Sequence, residues 1–119
     1  TRLNTDGSLD SAFSLNTGFI GQLSVITALR IQSDGKIIVG GDFTHANVSN
    51  RKHIARLNAD GSYDNTFNAG SGFDGLGVYA LHTQTDGKII VGGGFTHPSA
   101  PTRNNIARLN TDGSYDNTF

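Results

Sequence analysis

Several residue types are absent from the sequence, and each absence excludes a kind of site. Cysteine, methionine, tryptophan and glutamate are absent, so all ten acidic residues are aspartate. Without cysteine there is no disulfide framework and no thiolate metal site. Catalysis needs a nucleophile beside a base or a pair of carboxylates in a cleft. No such constellation is singled out, and all the aspartates except Asp42 and Asp74 belong to copied segments. We therefore expect no enzyme, no metal and no cofactor.

The sequence also has no long run of charged residues or of apolar residues. The nine basic and ten acidic residues are scattered and give a net charge of −1, so no basic patch predicts a nucleic-acid partner. Apolar runs reach about five residues, whereas a membrane-spanning helix needs about 20. A hydrophobic content of 35% and 16 glycines do not suit one deep core. Because the net charge is low, we predict an ordered β protein built from thin layers rather than a disordered chain.

An internal repeat dominates the sequence. Residues 26–67 and 78–119 are identical at 28 of 42 positions, with a constant offset of 52 residues. The motif Arg-Leu-Asn-x-Asp-Gly-Ser occurs three times, starting at Arg2, Arg56 and Arg108. Asp-Gly pairs begin at positions 6, 34, 60, 86 and 112, so a shorter spacing of 26 to 28 residues lies within the repeat. Asp-Gly between β-rich segments predicts a hairpin with a two-residue type I′ turn.

Each 52-residue unit is therefore predicted to hold four antiparallel strands and no helix. Those of the first unit are Val25 to Gln32, Lys36 to Phe43, His53 to Asn58 and Ser62 to Phe67. Those of the second are Val78 to Gln84, Lys88 to Phe95, Asn105 to Asn110 and Ser114 to Phe119. Tight two-residue turns would place Ile31 opposite Ile38 and Leu57 opposite Asp64.

Burial is predicted to fall from the first strands of each unit to the last. The second strand is a continuous apolar run, which is typical of a strand covered on both faces. We expect the first two strands to be the most buried, with Ile38, Val39, Ile90 and Val91 in the core. The polar fourth strand is expected at an exposed sheet edge.

Four-stranded units of this length are typical of β-propeller blades. We predict an all-β fold with a half blade at residues 1–13, a full blade at 14–67 and a second full blade at 68–119. A β-trefoil and a linear hairpin array are the alternatives. Because a propeller needs at least about four blades, we expect the partners of this segment to be further blades of the same polypeptide or other protein chains.

The repeated unit also resembles a known family. It reads A-L-x-x-Q-x-D-G-K-I-I-V-G-G-x-F-T and then I-A-R-L-N-x-D-G-S-x-D-x-x-F, and it is similar to the delta-60 repeat of bacterial β-propellers. The matching stretches are Ala28 to Thr44 with Ile54 to Phe67, Ala80 to Thr96 with Ile106 to Phe119, and the partial Arg2 to Phe13. The resemblance implies large secreted or cell-surface proteins, often multidomain, without catalytic residues.

Candidate binding residues lie in and beside the two loops that differ between repeats, residues 46–53 and 98–105, because propeller loops carry specificity. Arg51 and Arg103 repeat within these loops, and His45 and His97 precede them. Each histidine could equally be a polar residue at a strand end.

Two repeated motifs are interpreted as structural. The Asp-Gly turns have the wrong spacing for a calcium loop, so we expect turns without metal. The strand arginines Arg56 and Arg108, with Arg2 as a third copy, could bind an anion, but a bond to a neighbouring blade is favoured.

We thus expect a non-enzymatic structural or interaction module of an extracellular or cell-surface bacterial protein. A glycan-binding propeller is the second hypothesis, and a propeller glycosidase ranks lower.

Overall fold

A computed structural model describes the backbone of residues 1–14, 19–45, 51–97 and 100–119. Side chains are described for these residues except 20–24, 45, 97 and 100–103. The described strands form two antiparallel sheets of three strands each, with strand order β1-β2-β3 and β4-β5-β6. The first sheet contains β1 (Phe19–Ile31), β2 (Ile37–His45) and β3 (Lys52–Leu57). The second contains β4 (Asp74–Thr83), β5 (Ile89–His97) and β6 (Ala100–Leu109). The all-β prediction is confirmed.

The turn between β1 and β2 differs from the predicted type I′ turn. The amide of Gln32 donates to the carbonyl of Lys36 at 2.8 Å, and the amide of Gly35 donates back to Gln32 at 3.0 Å. Gly35 has a φ of 80°, while Asp34 is not among the residues with positive φ. The loop therefore has three residues, a type I turn followed by a left-handed glycine.

The third loop residue changes the register on both sides of the turn. Ile31 pairs with Ile37, not with Ile38 as predicted, and the same turn in the next hairpin pairs Leu57 with Tyr63 rather than Asp64. A one-residue shift reverses the faces of a strand. The predicted register therefore assigns the side chains of one of the two strands to the wrong face of the sheet.

A single bridge stands where the fourth strand was predicted. Leu57 bridges Tyr63 in the first unit and Leu109 bridges Tyr115 in the second. Immediately afterwards the Asp64 carboxylate accepts hydrogen bonds from the amide and the hydroxyl of Thr66, at 2.9 and 2.6 Å. An aspartate bonded to the backbone two residues ahead forms a turn. The polar segment thus turns away from the sheet after one pair.

The core consists of two apolar clusters, one between the two sheets and one on the other face of the first sheet. Of the predicted core residues, Ile38 and Val91 are buried in the former and Val39 in the latter, but Ile90 is only partly buried. Ile38 belongs to an apolar cluster that includes Val78 and residues of β5 and β6. Ile90, its counterpart one repeat later, lies on the face of the second sheet that points away from the first.

The first strand is not among the most buried, contrary to prediction. In β1, four large apolar side chains are exposed: Val25, Ile26, Leu29 and Ile31. Ile26, Leu29 and Ile31 lie on the face that residues 1–13 cover only in part, through Phe13. None of the described residues forms a helix that could span a membrane.

Candidate functional site

An arginine on β3 joins the two repeats. The Arg56 Nε donates to the Asp64 carboxylate at 2.7 Å, and its Nη1 donates to the carbonyl of Thr111 in the following repeat at 2.6 Å. The guanidinium lies 4.8 Å from the ring centroid of Phe67, a cation–π distance. We call this arrangement of arginine, aspartate and phenylalanine, with the turn carbonyl of the next repeat, the interlock.

Asp64 is the charged centre of the interlock. Besides Arg56, the Lys36 ammonium donates to it at 2.8 Å, so one buried carboxylate is shared by two cations. Burial acts to raise the pKa of Asp64, but the hydrogen bonds from Lys36, Thr66 and Arg56 outweigh it and hold that pKa well below its ordinary value. Asp64 therefore stays ionised inside the protein.

The side chains of the interlock recur in every repeated unit. Arg2 bonds Asp10 at 2.7 Å, lies 4.8 Å from Phe13, and also donates to the carbonyl of Ala59. Arg108, Asp116 and Phe119 form the third set, with a 2.7 Å bond and a 4.9 Å ring distance. Arg2 and Arg56 both bond the turn of the following repeat, which confirms the structural interpretation of these two arginines.

A glycine makes this junction close. A Cβ on Gly113 would lie 2.9 Å from two ring carbons of Phe67 and 3.0 Å from the amide nitrogen of Asn68. That amide donates to the carbonyl of Asp112 at 2.7 Å. The Asp-Gly turn of one repeat therefore rests on the phenylalanine of the repeat before it.

The turn aspartates have partners within their own turns. The Asp60 carboxylate accepts hydrogen bonds from the amide and hydroxyl of Ser62 at 2.9 and 2.6 Å. The side-chain bond from Ser62 lowers the pKa of Asp60, and Asp6 and Asp112 have the same arrangement. Within the described ranges no three His or Asp side chains group in a way that could hold a metal ion.

Arg51, a predicted surface binding residue, is engaged inside the repeat. Its guanidinium donates to the Tyr63 hydroxyl, to the carbonyl of Phe67 at 2.6 Å and to the amide oxygen of Asn68 at 3.2 Å. These bonds link the end of the loop to residues 63–68 of the same repeat. The side chains of the other predicted binding residues, Arg103, His45 and His97, lie outside the described residues.

A second polar group, which the sequence analysis did not select, lies where β2 and β3 approach the variable loop. His53 is buried with a left-handed φ of 68°, and its Nδ1 lies 3.1 Å from the carbonyl of Gly41 and 3.7 Å from the Asp42 carboxylate. Nearby, the Lys52 ammonium bonds the exposed Asp74 carboxylate at 3.1 Å.

These residues were missed because they do not repeat. Asp42, Lys52 and His53 are replaced by Gly94, Asn104 and Asn105 in the second unit. A comparison of the two units could have found them. Residues 26–67 and 78–119 differ at fourteen positions, and eight of these fall between positions 42 and 53. The Asp-Gly turns, at the opposite end of the strands, differ only in the residue before the aspartate, Ser33 against Thr85 and Ala59 against Thr111. We call residues 42–53 and 94–105 the variable end.

Comparison with known proteins agrees with this architecture. A family model described as a β-propeller domain of unknown function, DUF5122, matches residues 1–13, 32–67 and 84–119. The match includes the interlock side chains of all three repeated units and omits β1 and β4 entirely. A search of curated proteins finds no significant match, and neither does a search of solved structures.

Proposed function

Because the chain belongs to the DUF5122 β-propeller family, a domain family of unknown function, we propose that it is a non-enzymatic interaction module whose variable end contacts a partner. The sheets and interlocks act as the scaffold. The observation that carries this proposal is the separation of constant and varied residues along the same strands.

The constant residues are occupied by structural contacts. The side chains of the interlock bond one another or the adjacent repeat, and the turn aspartates bond their own serines. Substitution at these positions would weaken the junctions. Sequence change without loss of fold is therefore easiest at the variable end, where specificity can differ from repeat to repeat.

A glycan partner is the second candidate, and one observation favours it. Tyr79, about half exposed, lies against Gly94 at the variable end of the second sheet. An exposed aromatic ring can stack on a sugar while nearby hydrogen-bonding groups bind its hydroxyls.

We place the module outside the cell, on a bacterial surface or in a secreted protein. The support is the resemblance of the unit to delta-60 repeats, and the absence of cysteine is compatible with it. Fractionation of the producing cells, with an antibody against this chain, tests the location. Recovery of the chain only from the cytoplasm would contradict it.

The binding proposal is tested by exchanging the variable end. A graft places the residues of positions 94–105 at positions 42–53, so that both units carry the same variable end. The native and grafted chains are applied to a glycan array and to an array of secreted proteins. We expect the native chain to bind a partner and the graft to lose that binding while melting at a similar temperature. Leu29→Ser, outside the variable end, is the matched control. Binding that survives the graft contradicts the proposal.

A further inference from the structure

The Asp-Gly turns fall into two classes according to the residue that follows the glycine. That residue is a serine at Ser8, Ser62 and Ser114, and a lysine at Lys36 and Lys88. We call them the serine turns and the lysine turns. The backbone is the same in both classes, since every turn glycine has a φ between 80° and 88° and donates its amide at 3.0 Å to the carbonyl three residues before it. The two classes therefore differ in their side chains.

The serine turns hold the aspartate carboxylate by two hydrogen bonds. Asp60 accepts the Ser62 amide at 2.9 Å and the Ser62 hydroxyl at 2.6 Å, and Asp112 accepts the same two bonds from Ser114. The hydroxyl is fixed in turn, because the Asn58 amide group donates to it at 2.9 Å. The hydroxyl bond also lowers the pKa of Asp60, so the carboxyl group is both held in place and kept ionised.

The lysine turns hold their aspartates more weakly. Asp34 accepts the Lys36 amide at 3.1 Å, and Asp86 accepts the Lys88 amide at 3.0 Å. Among the described residues no side chain donates a hydrogen bond to either carboxylate, because the lysine ammonium groups extend instead to the aspartates of the interlocks. Both carboxylates are exposed, so each is free to change its orientation.

The glycines of the lysine turns are also more open. Gly61 and Gly113, in serine turns, are buried, whereas Gly35 and Gly87 are only partly buried. A glycine has no Cβ to shield its amide nitrogen. The lysine turns thus combine a loosely held carboxyl group with an accessible amide on the next residue.

We propose that the lysine turns are modification sites at which Asp34 and Asp86 convert to isoaspartate, and that conversion at Asp34 releases Lys36 from Asp64. The serine turns keep their aspartates, because the hydroxyl bond holds the carboxyl group away from the amide that would attack it.

The reaction needs only the turn and water. The Gly35 amide nitrogen attacks the side-chain carboxyl carbon of Asp34 in its acid form. The amide proton and the carboxyl hydroxyl leave as water, and the new carbon–nitrogen bond closes a succinimide ring. Water then adds to the main-chain carbonyl of the ring and opens it. The main chain now runs through the β-carbon and the α-carboxylate becomes the side group, with no net change in atoms or in oxidation state.

The product lengthens the hairpin loop by a carbon. The native loop is closed by the bonds from Gln32 to Lys36 at 2.8 Å and from Gly35 to Gln32 at 3.0 Å, which set where Lys36 begins β2. From there the Lys36 ammonium bonds Asp64 at 2.8 Å, and Asp64 in turn bonds Arg56. A longer loop moves Lys36 and removes one cation from the interlock, so the junction between the units becomes weaker.

The sites are identified by incubating the native chain at mildly acidic pH, below its melting temperature. Isoaspartate has the mass of aspartate but resists endoproteinase Asp-N, so each turn peptide is scored after digestion and chromatography. We expect Asp34 and Asp86 to convert several-fold faster than Asp60 and Asp112. In guanidinium chloride, where the turns are unfolded, the rates should be alike. Equal rates in the folded chain, or a difference that persists in the unfolded chain, overturn the proposal.

A matched pair of variants tests the protective hydroxyl. Lys88→Ser and Lys88→Ala both lose the bond to Asp116, and they differ in the hydroxyl that serine offers to Asp86. We expect Asp86 to convert several-fold more slowly in Lys88→Ser than in Lys88→Ala, with Asp34 in the same chains as the internal standard. Similar rates at Asp86 in the two variants would show that the hydroxyl gives no protection, and the assignment of the two classes would fail.

The release of Lys36 is tested by following the melting temperature during incubation. All chains carry Asp86→Glu, because glutamate would have to close a larger ring and stays unmodified. We expect the melting temperature to fall as Asp34 converts, to fall much less in Lys36→Ala, where the bond is already absent, and to stay constant in Asp34→Glu. An equal fall with and without Lys36, no fall at all, or the same fall in Asp34→Glu contradicts the proposed release.

Discussion

Leu29 and Leu81 occupy the same position in two nearly identical units, yet the first is 62% exposed and the second 8%. Ile38 and Ile90 show the reverse, since Ile38 is buried and Ile90 only partly so. Local sequence cannot account for the second difference, because residues 34–41 and 86–93 are identical. The difference comes from the side of the single inter-sheet junction on which each residue lies. A repeat of this kind is stable through its neighbours.

The charged centre of the interlock gives the largest expected difference between copies. Asp64→Ala leaves the buried Arg56 without its carboxylate and should lower the free energy of unfolding by about 3–5 kcal/mol. Asp10→Ala, at the more exposed first copy, should have a much smaller effect. Urea unfolding of both variants checks this. Equal losses would show that the copies are equally integrated into the fold.

The core residues on either side of the junction give the next difference. Ile38→Ala removes a fully buried side chain and should cost about 2–5 kcal/mol, whereas Ile90→Ala should cost less because its site is already partly open. Thermal unfolding of the two variants measures the contrast. A loss for Ile90→Ala as large as that for Ile38→Ala would mean that the far face of the second sheet is covered.

The turn glycines separate backbone conformation from contact with the neighbouring repeat. Gly7 and Gly113 both have left-handed φ angles, 84° and 88°, but a Cβ would meet nothing within 4 Å at Gly7 and the Phe67 ring at Gly113. Gly7→Ala should cost about 1 kcal/mol from conformation alone. Gly113→Ala adds a clash and should cost about 2–4 kcal/mol. Equal melting temperatures for the two variants would show that the turn at Gly113 does not pack against Phe67.

Acid should weaken the junction gradually. The pKa of Asp64 is lower in the folded chain than in the unfolded chain, so its contribution to stability is complete above the unfolded value of about 3.9 and is lost as the pH falls below it. In Asp64→Asn the decline of stability below that pH should be shallower. Chemical unfolding at a series of pH values, at constant ionic strength, measures both slopes. Identical slopes would argue against an ionised Asp64 at the junction.

Much of the fold could be predicted because the two copies of the 52-residue unit can be compared with each other. The 52-residue offset located the units, the apolar run located β2 and β5, and the repeated Arg56 was correctly assigned to a neighbouring repeat. The turn type failed because Asp-Gly suits two hairpin loops that differ by one residue. A second feature, the hydrogen bonds of Gln32 and Gly35, decides between them.

The candidate site was less predictable, for a related reason. Repetition drew attention to Arg51, whose partners Tyr63 and Asn68 lie far along the chain and turn it into a loop anchor. His53 was missed because it does not repeat. Its left-handed backbone, shared with Asn105, is a feature of the folded strand that the residue type does not reveal.

The sequence by itself determined the units, the hairpins and the identity of the residues that join one unit to the next, because these depend on patterns that recur along the chain. Tertiary structure alone decided which copy of each residue is buried, which arginine bonds a carbonyl of the next repeat, and which lysine reaches each buried aspartate. Burial and charge pairing depend on which segment packs against each face of a sheet, so identical sequences can differ in both.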